Sequence, residues 1–123
     1  MLTENQKKWI AALRSGEYIQ GYHALQRPSG AFCCLGVACK VYEKNTDKNL
    51  ATGPHSIIEG GSLYAQKEVM HWVGLRTGKG EPMNEGLSLI DLNDRGTSFN
   101  GIANILENSP EEYFVSPSDE GEN

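Results

Sequence analysis

Cations are scarce in this sequence: 11 Lys and Arg stand against 16 Asp and Glu among 123 residues, a net charge of -5. Proteins that live on phosphate backbones need clustered Lys and Arg, so this balance argues against nucleic acid as the partner. Long apolar runs are also missing. The longest, Ala31 to Cys39, falls far short of the ~20 residues needed to cross a bilayer. The first residues, MLTENQKKWI, place an acid and amides ahead of any apolar stretch, unlike a secretory signal. Cysteine is limited to three residues, an odd number that argues against a disulfide framework. Internal repeats are absent. What remains is a cytoplasmic chain of ordinary composition, 38% hydrophobic and 22% charged, long enough to bury a core without staples. Residues 1–115 read as one globular domain and 116–123, SPSDEGEN, as a flexible acidic tail with nothing to bury.

Helical spacing organises most of the chain. Thr3 with Gln6 is a capping-box pattern, Trp9, Ile10 and Leu13 follow at helical intervals, and Gly16 supplies a stop. The run EYIQGYHALQR, residues 17–27, is rich in aromatic and branched side chains and ends in the turn signal PSG. It predicts one or two short strands with Gly21 as a bulge. Ala31 to Cys39 and the charged KVYEKN after it predict a helix buried at its start and exposed later. Residues 45–62 read as loop with a strand at 56–59. A further helix runs through Val69, Trp72 and Val73 to Gly74, and the Gly-rich connection after it has room for a hairpin at Glu85-Gly86. Ser88 and Ser98 cap the helices LIDLND and FNGIANILEN, and Ser109-Pro110-Glu111-Glu112 starts a last one. The expected class is α+β: a helix-dominated single domain with a small antiparallel sheet or hairpin.

The cysteines cluster in SGAFCCLGVACK, residues 29–40. On a helix Cys33, Cys34 and Cys39 point in three directions, and no pair has the two-residue gap of a structural zinc clip, so neither metal nor cofactor is expected. Small core residues are the favoured reading, since free cysteine is among the most buried types. The functional alternative is a thiol-dependent enzyme centred on Cys33, where a helix N-terminus lowers a thiol pKa and His23, His55 or His71 would serve as base. Gly36 inside this helix costs helix stability and implies close approach of another element.

LIDLNDRGTSFNGIANILENSPEEYF has the layout of a helix-turn-helix, which makes a DNA-binding regulator a further alternative. Its last helix, however, offers Glu111 and Glu112 where phosphates would lie, which favours a helical hairpin that closes the core. The turn Asn93-Asp94-Arg95-Gly96 is the most polar in the chain. It reads either as a helix C-terminus with Gly96 at positive φ or as a small recognition site.

Three blocks carry a resemblance: the Trp9–Gln20 opening, FCCLGVACKVY at 32–42, and LIDLNDRGTSFNGIANILE at 89–107, with Val69, Trp72, Gly74 and Leu75 between them. They resemble small proteins encoded by bacteriophages and prophages that share Cys-Cys-Leu-Gly-Val and Leu-Asn-Asp-x-Gly-x-Ser-Phe-x-x-Ile-Ala blocks. No activity comes with that family. The resemblance implies a context, an accessory protein in a bacterial cytoplasm that blunts host defence by sequestering a signalling nucleotide or binding a defence protein. The partners expected are therefore a host protein or a small anionic nucleotide. Stacking surfaces would come from Trp9, Tyr18, Tyr22 and Tyr64, and anion partners from Arg14, Arg27, Arg76 and Arg95. For a nucleotide, Asn93, Asp94, Arg95 and Ser98 would offer a cation, amide donors and the first N–H groups of the following helix, with Trp72 as the aromatic face. So shallow a pocket would be completed by a second copy of the chain, a homo-oligomer.

Overall fold

A computed structural model describes residues 2–53 and 55–115; the acidic segment 116–123 lies outside the described residues. Among the described residues six α-helices follow one another: α1 (Glu4–Arg14), α2 (Cys34–Thr46), α3 (Lys67–Val73), α4 (Leu89–Asp94), α5 (Phe99–Asn108) and α6 (Pro110–Tyr113), with one 3-10 turn at Leu63–Ala65. None is long and apolar enough to cross a membrane.

The capping box forms as its spacing requires. Gln6 N–H donates to Thr3 Oγ1 at 3.1 Å and Thr3 N–H to Gln6 Oε1 at 2.9 Å. The box also serves a neighbour. Gln6 is buried, and its Nε2 donates to the Val73 carbonyl at 3.2 Å while Asn5 Nδ2 donates to that of Trp72 at 2.9 Å. Two terminal carbonyls of α3, which no intrahelical N–H can reach, are thereby satisfied by the first turn of α1.

The buried helix is α2. Every residue from Cys34 to Cys39 is buried, and α1, α3 and α4 all pack against it. Trp9 is fully enclosed, and its indole N–H donates to the Cys34 carbonyl at 3.0 Å. Gly36 explains how a non-helical segment reaches this helix. A Cβ added there would lie 1.7 Å from the Leu25 carbonyl oxygen and 2.7 Å from its carbon. The close approach implied by a glycine mid-helix is that of the chain entering α2, whose Leu25 carbonyl accepts the Cys33 N–H at 3.3 Å.

The expected sheet does not form. Among the described residues there is no strand, only isolated bridges: Gln20 and Gln26 each to Phe32, Gln26 to Ile58, and Leu75 to Phe114. The α+β expectation is thus corrected to all-α. The reason for 17–27 is local. Gln20 and Gln26 bridge the same Phe32 in opposite senses, so the chain doubles back within a few residues and leaves no length for a ladder. The reversal passes through His23 at φ +69°, which the extended conformation of a strand excludes. Gly21 is no bulge in a sheet; a Cβ there would meet Ala31 Cβ at 2.8 Å. The 56–59 strand shrinks to the single bridge at Ile58, and the segment around Glu85-Gly86 forms no hairpin because the residues before it bond to α6. Met83 N–H donates to the Glu112 carbonyl at 2.7 Å, and Asn84 reaches the Glu112 carboxylate through its backbone N–H at 3.0 Å and its Nδ2 at 2.8 Å.

Candidate functional site

Residues 16–30 form a strap bounded by Gly16 at φ +76° and Gly30 at φ +96°. Backbone bonds to Phe32, Ile57, Glu59 and Gly60 hold much of it, and one side chain ties it to α4. Asn93, the penultimate residue of α4, is fully buried and uses its whole amide. Its Oδ1 accepts from Gln20 Nε2 at 2.9 Å and from the Cys34 N–H at 3.1 Å; its Nδ2 donates to the Gly21 carbonyl at 2.8 Å and to Asp94 Oδ1 at 3.2 Å. The Cys34 bond has a structural origin. Cys33, the N-cap of α2, makes no side-chain cap bond, so Asn93 caps α2 from another helix.

Asp94 holds the next part of the strap. Its Oδ1 accepts the His23 N–H at 2.9 Å, and its Oδ2 lies 3.3 Å from His23 Nδ1. A non-glycine residue at left-handed φ costs about 1–2 kcal/mol, and these two contacts offset that cost. Gln20 Nε2 also donates to the Thr97 carbonyl at 2.7 Å, so strap residues 20–23 run along the turn 93–97. The far end of the strap is tied to α2, where Lys44 Nζ lies 2.6 Å from Glu17 and 5.4 Å from the centroid of Tyr18.

The residues expected to form a ligand site therefore separate. Asn93 and Asp94 come together, but as the fastening of the strap. Ser98 accepts from the Gly101 N–H at 3.1 Å and caps α5, and Arg95 stands exposed in the same turn, its N–H bonded to the Asp91 carbonyl. Trp72 is elsewhere. It packs edge-on against Tyr42, centroids 5.8 Å apart, beside a hollow of about 250 Å³ lined by α1 and α3 residues and by none from 93–98. Of the other aromatics and arginines singled out, Trp9 is core, Tyr18 packs edge-on against Phe32 at 5.6 Å, and Arg14 grips Glu107 at 3.0 Å and Asn104 at 2.7 Å.

Two exposed residues of the strap complete the face: Ile19, which the sequence did not mark, and Tyr22, one of the expected stacking surfaces. Ile19 is 74% exposed and Tyr22 43%, next to Gln20, Gly21 and His23, which are pinned to the turn. The only signal at Ile19 was a branched residue in a run that does not alternate cleanly, and that signal points to the expected strand.

The thiols are core residues. Cys33 is 4% exposed, and Cys34 and Cys39 are fully enclosed. Burial pushes the Cys33 thiol up to about 11 from its ordinary 9.0, against backbone N–H groups of α2 that favour the thiolate; burial also raises Cys34 and Cys39. Desolvation thus outweighs the helix N-terminus. A thiol reagent at pH 8 is expected to leave all three cysteines unlabelled in the native protein and to label all three on unfolding; fast native labelling of Cys33 would contradict its burial. The pH dependence follows. The folded protein holds the Cys33 proton more tightly than the unfolded chain, so its contribution is complete below pH about 9 and is lost as pH rises through 9 to 11. Thermal scans across that window should show a falling midpoint.

The helical end of the chain does not present a reading helix. α6 has four residues, and Glu112 on it is engaged by Asn84. α5 packs against α1, with Arg14 clamped across its Asn104 and Glu107.

Neither the comparison with curated proteins nor that with solved structures finds a match. A family model does: "Domain of unknown function (DUF8296)" matches residues 1–110, which include α1 to α5, the strap and the turn that fastens it. The chain belongs to the DUF8296 family.

Proposed function

We propose that this chain is a non-catalytic binding protein whose recognition face is the strap laid on the α4–α5 turn, and that it holds a host protein. The observation that carries this reading is the exposure of Ile19 and Tyr22 on a segment that is itself immobilised by Asn93 and Asp94. Burying an isoleucine is worth about 1.5–3 kcal/mol, and a pre-ordered segment spares a partner the entropy of ordering it. An exposed tyrosine on a fixed scaffold is of the residue type that protein-binding hot spots favour, and the isoleucine beside it adds apolar area to bury. The nucleotide-sequestering version is supported less well, because Trp72 stands apart from Arg95. The thiol-enzyme version would require Cys33 to leave the core. A phage or prophage origin, a counter-defence role and the bacterial cytoplasm enter from the sequence resemblance alone.

The test is affinity capture from bacterial lysate with three proteins of matched thermal stability: wild type, Ile19→Asp, and Met83→Asp, which changes a residue 60% exposed outside the strap. A stoichiometric protein is expected with wild type and Met83→Asp and not with Ile19→Asp. Retention by all three would place recognition elsewhere. Calorimetric titration with cyclic di- and trinucleotides separates the small-ligand version: saturable binding lost in Arg95→Ala would establish it in place of the protein partner.

A further inference from the structure

A hollow between Leu50, His55 and the start of α3 has a volume of about 380 Å³, within the range of small-ligand pockets. Gln66, which lines it, is only 8% exposed. Its Nε2 donates to the His55 carbonyl, and no described residue donates to its Oε1. The one side-chain oxygen shut away without a donor among the described residues is Gln26 Oε1, so Gln66 Oε1 keeps its access to solvent. The buried amide at the hollow beside Trp72 differs in this respect. There Gln6 is bonded at both Oε1 and Nε2.

Two further groups of this hollow are held in place. Tyr64 is 50% exposed, yet its ring rests against Gly78, where a Cβ would lie 2.7 Å from Cδ1 and 2.8 Å from Cγ. Glycine at 78 thus lets the ring settle on backbone while an aromatic surface stays open. Glu68 Oε2 accepts the Tyr42 O–H at 2.7 Å, and its other oxygen takes no hydrogen bond from a described residue. Lys67 and Glu68 line the hollow together, so no single sign of charge selects the occupant. Shape and hydrogen bonding do.

From this arrangement we infer that the hollow is a binding site for a nucleoside whose base carries an exocyclic amine, adenosine above all. The base stacks on Tyr64, its amine donates to Gln66 Oε1, and the sugar hydroxyls donate to the free acceptor positions of Glu68. Stacking on a fixed aromatic side chain accepts any base. Discrimination comes from the amine. Adenine and cytosine present an N–H donor where hypoxanthine and uracil present an acceptor oxygen, which would meet Gln66 Oε1 lone pair against lone pair. A buried acceptor offered no donor is penalised. The site is built from residues outside the strap and stands independently of the protein-binding face.

The experiment is calorimetric titration of the full chain with adenosine, inosine, cytidine and uridine, alongside Tyr64→Ala, Gln66→Leu and Arg95→Ala, each first checked for an unchanged thermal midpoint. Adenosine is expected to saturate wild type and Arg95→Ala equally and to bind Tyr64→Ala roughly tenfold or more weakly. Inosine should bind wild type roughly tenfold or more weakly than adenosine, and uridine more weakly than cytidine. Gln66→Leu should erase that preference; if it does not fold, the adenosine–inosine pair on wild type reads the same contact without a substitution. No saturable adenosine binding at millimolar concentration would overturn the site, as would adenosine binding untouched by Tyr64→Ala. Inosine bound as tightly as adenosine would overturn the amine contact to Gln66. Binding lost in Arg95→Ala and kept in Tyr64→Ala would move the ligand to the turn at 93–98 and overturn this hollow.

Discussion

Gly36→Ala is expected to abolish or severely cripple folding, at a cost of about 3 kcal/mol or more. Alanine is the better helix former by about 1 kcal/mol, so local propensity alone forecasts the opposite sign. Packing decides. The new methyl would sit 1.7 Å from the Leu25 carbonyl oxygen, and what it meets is backbone, which cannot turn aside as a side chain can. That carbonyl also accepts the Cys33 N–H, so moving it breaks the start of α2 as well as the strap. Gly61→Ala is the control. A Cβ there meets nothing within 4 Å, so its denaturation midpoint should stay close to wild type. If Gly36→Ala unfolds at the wild-type denaturant concentration, the close crossing of residue 25 over α2 is wrong.

Asn93→Leu should be comparably damaging, at about 3–5 kcal/mol. The side chain keeps roughly its volume, so the loss is polar. The Cys34 N–H, the Gly21 carbonyl and the Gln20 amide would all lose a partner inside the fold, and each stranded group costs about 1–3 kcal/mol. Water reaches some of these groups once the strap lifts, which holds the total below the full sum. Hydrogen exchange gives a second readout. Protection should fall at residues 20–23 and at the first turn of α2 before it falls in α1 or α5, because only the first two are held by Asn93. Unchanged protection at 20–23 in a folded variant would show that the strap is held by other contacts.

These two substitutions mark where sequence reasoning reached and where it stopped. Periodicity, the Thr3–Gln6 box, the Ser88 and Ser98 caps and Pro110 located the helices, because each is a bond or a preference between residues one turn apart. Gly36 told that something touches α2, because a glycine costs the helix stability unless it admits a neighbour. It did not tell what touches. The cysteines were legible as core from their residue type and from the missing ligand spacing, and burial then set the Cys33 thiol against the helix terminus in a contest that spacing cannot score.

The strap was misread for a definite reason. Branched and aromatic residues at 17–27 favour a pleated half-buried surface, yet a strand exists only if a partner runs beside it for several residues. Here Phe32 serves both ends of the segment and His23 turns it back. The turn at 93–98 was found as a polar turn, but its part in the molecule was hidden, because Asn93 acts on residues more than fifty positions away. Trp72 and Arg95 look compatible as letters and are kept apart by α3 packing on α1 and α2 while α4 packs on α2 and α5. The sequence by itself determined the helices, the buried thiols and the glycine that admits a crossing chain, since these rest on neighbours along the chain and on residue type. The tertiary structure alone decided that the strap is no sheet, that Asn93 ties it to α4 and caps α2, and that Ile19 and Tyr22 stand exposed on it, since those follow from hydrogen bonds and packing between segments whose separation no local preference encodes.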